Sequence, residues 1–145
     1  MDWKTVAKDK LYDYSAKKAS VVNLTEEIHE LEYRRRSIRS ATSDGTPVAG
    51  GTNKREEMLL NTITRQEELK ENLHAVSRWI KRVERGLAEL TEEESTILNR
   101  FYINPEKGAA ERLAMDLGID VKTVYWRKDR ALRKFTKAMY GCVEN

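Results

Sequence analysis

Lys122, Thr123, Trp126, Arg127 and Arg130 are the residues of this sequence best suited to chemistry on another molecule. The chemistry they fit is the reading of duplex DNA. An arginine fork matches guanine O6 and N7, a threonine offers a hydroxyl or a methyl group, and a lysine reaches guanine or phosphate. Lys128, Arg133, Lys134 and Lys137 follow in the same stretch and fit phosphate contacts, which position a protein without specifying a sequence. Trp126 suits two roles, a sugar or thymine-methyl contact and packing against the rest of the chain. Tyr125 reads as structural, because its neighbour Val124 falls on the apolar side.

These side chains need a scaffold that presents them on one face. Ala110, Leu113, Ala114 and Leu117 recur at helical spacing, which predicts a helix over 109–117. Gly118 ends it, since glycine enters the left-handed region at least steric cost. Ile119 plugs inward and Asp120 caps the next helix, which runs from Val121 through Phe135 with Val124, Ala131, Leu132 and Phe135 on its buried side. Two helices joined by a three-residue turn form a helix-turn-helix, whose second helix enters the major groove. Upstream, Thr91 and Glu94 form a capping box that starts a helix reaching about Tyr102 and burying Ile97, Leu98 and Phe101. Asn104-Pro105 stops it. Residues 91–145 are therefore expected to form a three-helix DNA-binding domain.

The first 90 residues predict something longer. Trp3, Ala7, Tyr14, Val21, Leu24, Ile28, Leu31 and Ile38 follow a three-four spacing interrupted by Lys10, Lys17 and Arg35. Leu59, Leu69, Leu73, Val76, Ile80, Val83, Leu87 and Leu90 repeat that spacing, with Gln66 as the polar intruder. Between them, residues 41–53 read as a flexible Gly/Pro connector. The fold class is all-α, with a long antiparallel, coiled-coil-like helical hairpin over 1–90 preceding the helix-turn-helix. Trp79, Tyr33 and Met58 are expected to stay exposed and to join two copies in a homodimer. The Arg34-Arg35-Arg36 run with Arg39 reads as a solvated face.

Charge is unevenly spread. Residues 121–140 hold seven Lys/Arg against one acid, net +6, whereas 91–120 hold three against seven, net −4. One cysteine, Cys142, excludes an intramolecular disulfide and suits a reducing cytoplasm. The first residues lack a signal-peptide core, and no apolar run approaches a membrane span. Glu92, Glu93 and Glu94 point in different directions on a helix and are read as a cap. His29 and His74 have no metal-ligand spacing. No phosphate loop or nucleophile constellation appears, so neither a cofactor, a metal nor an enzyme is expected.

Residues 90–135 resemble region four of a bacterial sigma-70 factor, through LTEEE and ILNRFY, a spacer, and then LAMDLGIDVKTV and RALRKF. The ending VYWRKDRALRKFTKAMYG is similar to that of ArpU-like and RinA-like phage transcriptional regulators. The resemblance implies a sequence-specific regulator of phage late or lytic genes, acting on double-stranded DNA in the bacterial host cytoplasm. Nothing matches the promoter-melting module of a full sigma factor. Two other functions fit the same layout, an adaptor docking on RNA polymerase and a small-terminase-like DNA-packaging subunit.

Overall fold

The computed structural model describes residues 1–43 and 51–144. The chain is all-α: α1 spans Trp3–Ser43, α2 Gly51–Ala88, α3 Glu92–Leu98, α4 Ala109–Leu117 and α5 Val121–Tyr140. A π-helical segment, Asn99–Ile103, extends α3. Among the described residues there is no strand, and the one β-bridge joins Asp2 to Glu144. No described helix is long and apolar enough to cross a membrane.

The connector expected over 41–53 is shorter than its composition suggests. Helix continues through Ser43 and resumes at Gly51, and residues 44–50 lie outside the described residues. Once a helix is nucleated, each added residue gains a backbone hydrogen bond, so serine and threonine extend it at little cost.

Packing divides the chain into two units, Met1–Lys18 with Arg78–Asn145, and Ala19–Ser77. The expected division at residue 90 is therefore not where the contacts separate. In the first unit Ala7 and Leu11 of α1 and Val83 of α2 share one core with Leu98, Tyr102, Ile103, Ala131, Leu132 and Phe135. Fifty residues of short helices bury little apolar surface on their own. The ends of the long helices supply the missing wall.

A second cluster, Ile97, Ala110, Leu113 and Val124, closes the helix-turn-helix, with Leu117, Ile119 and Val121 packed against it. The turn forms as its residue types require. Gly118 has φ +67°, and Asp120 Oδ1 accepts from the Thr123 backbone N–H at 2.9 Å. At the start of α3, Thr91 Oγ1 accepts from the Glu94 N–H at 3.2 Å, and Glu94 Oε1 accepts from the Thr91 N–H at 2.9 Å. The sequence expects α-helix to about Tyr102; instead, the Asn104 N–H reaches back five residues to the Asn99 carbonyl at 2.8 Å. This widened turn carries Tyr102 and Ile103 into the core. Arg100 then holds the following loop and α4, 3.1 Å from Glu106 and 2.7 Å from Asp116.

In the second unit the polar intruders of the two seams meet. Gln66, 2% exposed, accepts from Arg35 Nη1 at 3.2 Å and donates from Nε2 to Glu32 Oε2 at 2.9 Å. Its second amide hydrogen points to the Ile28 carbonyl at 3.4 Å. Arg35 therefore departs from the solvated face expected of its run. Arg34 is exposed and Arg36 lies 3.6 Å from Glu32.

Candidate nucleic-acid interface

α5 turns by about 100° per residue, which sorts its side chains by position. Val124, Ala131, Leu132 and Phe135 are buried on the side facing α1, α3 and α4. Lys122, Trp126, Arg130, Arg133 and Lys137 fall within roughly an 80° arc on the other side, and all five are exposed. Trp126 is 60% exposed, so the packing role open to it in the sequence is not taken up. The Arg130 guanidinium lies 5.3 Å from the centre of the Trp126 ring, a cation–π contact that fixes both side chains on the exposed row.

Other expected contacts are engaged within the protein. Arg127 Nη1 donates to Glu93 Oε1 at 2.6 Å, and Lys134 Nζ donates to Glu94 Oε1 at 3.0 Å. Both acids stand on the first turn of α3, beside the flank of α5 that carries positions 127 and 134. Glu94 is held below the ordinary carboxylate range: burial works against this, but hydrogen bonds from the Thr91 N–H and Lys134 outweigh it. Arg133 Nε donates to Asp129 at 3.1 Å. Thr123 is half-buried, and its backbone N–H is taken by the Asp120 cap.

Lys128, expected to contact the DNA backbone, does not join the exposed row. Its position places it between Val124 and Ala131 on the core side of α5, where it is half-buried. Its ammonium lies 4.8 Å from the Phe101 ring centre, 4.9 Å from Tyr125 and 5.9 Å from Tyr102. Burial lowers its pKa below the usual lysine range, and the nearby Lys8 charge adds to this. Tyr125 contributes a ring to the cage while remaining 47% exposed.

Trp79, expected to be exposed, is half-buried against the core, with Lys10 and Lys17 at 5.5 and 5.6 Å from its ring centre. Tyr33 and Met58 are exposed, at 76% and 50%. Glu93 and Glu94 are the participants that sequence reasoning assigned to capping alone. The signal for their second role was present: an acidic first turn in a net −4 stretch precedes a helix of net +6. Part of that charge asymmetry is neutralised inside the fold, which leaves Lys122, Trp126 and Arg130 as the outward-facing set.

No protein-family model, curated protein or solved structure matches this chain.

Proposed function

We propose that this protein is a sequence-specific reader of double-stranded DNA that regulates transcription, with α5 in the major groove. The observation that carries the reading is the exposed row Lys122–Trp126–Arg130 on the second helix of a closed helix-turn-helix. An indole left 60% exposed beside a guanidinium is a poor choice for a merely solvated helix and a good one for a base-and-sugar surface. The likeness of residues 90–135 to sigma region four, and of the ending to ArpU-like and RinA-like regulators, extends the reading to phage late or lytic genes. On the same reading the protein acts in the bacterial host cytoplasm.

Self-association accompanies this reading. Val22, Tyr33, Met58 and Leu60 expose apolar surface on the second unit, and two joined readers would bind paired half-sites. Sedimentation of the intact protein tests that part. A gel shift with phage promoter-region duplexes tests the main proposal. Specific, salt-sensitive binding is expected. No shift on any duplex, together with capture of RNA polymerase in DNA-free buffer, would replace the proposal with the adaptor function. A large ring in sedimentation would favour DNA packaging.

A further inference from the structure

The first unit contains a cleft of about 860 Å³ that none of the expected contacts predicts. Lys10 of α1, Arg82 and Arg85 of α2, and Lys134 and Lys137 of α5 line it, against a single acid, Glu89. Arg82, Arg85 and Lys137 are exposed, and Lys134 already shares its charge with Glu94. Cations gathered this closely repel one another unless an anion joins them.

The cleft continues the exposed row of α5. Each step of four residues drifts by about 40° around the helix. From Lys122 through Trp126 and Arg130 the row therefore winds toward Lys134 at the cleft, and Lys137 stands in both the exposed row and the cleft. Lys122 and Lys137 are separated by roughly 22 Å along the helix axis. That exceeds the width of the major groove, about 12 Å. With the first turns of α5 at base edges, its last turns lie over the flanking sugar–phosphate strand.

We infer that this cleft is a second DNA contact, in which Arg82 and Arg85 of α2 join Lys137 on the backbone of the duplex read by α5. The inference rests on the proposed DNA-binding function. Guanidinium forks match phosphate oxygens bidentately, which suits two exposed arginines one turn apart. The apolar floor, Trp79, Val83 and Met139, meets deoxyribose carbons. Base stacking is not offered, because Lys10 and Lys17 already lie over the Trp79 ring. The contact therefore adds affinity without sequence preference.

The test is the salt dependence of binding by the full chain carrying Arg82→Gln and Arg85→Gln together. Both positions are exposed, and an unchanged thermal midpoint verifies the fold. Binding to target and to random duplex is expected to weaken by the same factor, on the order of tenfold or more near 0.1 M salt, and the salt slope to fall by about two. Wild-type binding to DNA with no change of affinity or slope in the double variant overturns the cleft contact while leaving the α5 reading intact. Failure of the wild-type protein to bind any duplex overturns both. Poly-L-glutamate bound by the wild-type protein and lost in the double variant, with DNA binding unaltered, would assign the cleft to an acidic protein segment instead.

Discussion

Arg127 and Glu93 form an ion pair across 34 residues of sequence, with Nη1 2.6 Å from Oε1. The pair joins the first turn of α3 to the flank of α5, so an arginine that could read a base is held by a carboxylate of its own chain. In DNA binding that carboxylate competes with phosphate and guanine for the same guanidinium. Glu93→Gln is therefore expected to tighten binding and to steepen its salt dependence by about one ion. Arg127→Ala should weaken binding less than Arg130→Ala, whose guanidinium has no carboxylate partner among the described residues to give up. Fluorescence anisotropy at several salt concentrations measures both. Equal losses in the two arginine variants would show that the Glu93 pair opens at no cost.

Trp126 and Arg130 are expected to carry sequence discrimination. Alanine at either position should cost about 1–3 kcal/mol of binding to a specific site. Both side chains are exposed and contribute nothing to the core, so thermal stability should change by less than about 0.5 kcal/mol. Loss on the specific site with little loss on random duplex is the expected pattern. Lys122→Ala separates its two roles in the same assay, since a phosphate contact weakens both duplexes alike.

Much of this geometry is legible in the sequence because it is local. Gly118, Asp120, Thr91 and Glu94 act on backbone groups within a few residues, and the alternation of Val124, Ala131, Leu132 and Phe135 fixes the buried side of α5. Lys128 shows what is lost. Its cage is built from Phe101, Tyr102 and Tyr125, and only the π-helical turn at Asn99–Ile103 brings the first two rings within reach. Leu11, one residue past the Lys10 position of the seam, is fully buried, because α1 turns Ala7 and Leu11 together toward the C-terminal helices. Arg35 and Gln66 look like separate defects until the partner helix is in place. Long-range partners leave no periodic trace in one chain.

Gly86 marks a close approach between α2 and α5. A Cβ there would stand 2.8 Å from both Phe135 Cε2 and Met139 Sδ. Met139 can turn aside, but Phe135 is fully buried and has no room to move. Replacing glycine by alanine in a helix interior gains up to about 1 kcal/mol in propensity. Overpacking a core costs about 1–3 kcal/mol. The second effect wins, so Gly86→Ala is expected to be destabilising in urea denaturation. A gain in stability would mean that α2 and α5 can separate slightly without loss.

Asp129 links the start of α1 to α5 and gives the protein an acid limit. Its carboxylate accepts from Lys4 Nζ at 2.7 Å and from Arg133 Nε at 3.1 Å. The Lys4 hydrogen bond chiefly holds its pKa below the ordinary value, burial opposes this, and the Lys4 and Arg133 charges reinforce it. A carboxyl whose pKa is depressed by folding stabilises the native state fully above its unfolded value, about 3.9, and loses that contribution as pH falls through the folded value. The thermal midpoint should therefore drop below about pH 4. Asp129→Asn should cost under about 1 kcal/mol near neutrality, because the side chain is half exposed and water screens the pair. As pH falls through the folded value the same substitution should cost progressively less, since the wild-type carboxyl then takes up its proton. Thermal melts of both proteins from pH 2 to 7 would show their midpoints converging on the acid side; parallel curves would show that Asp129 acts through packing rather than charge.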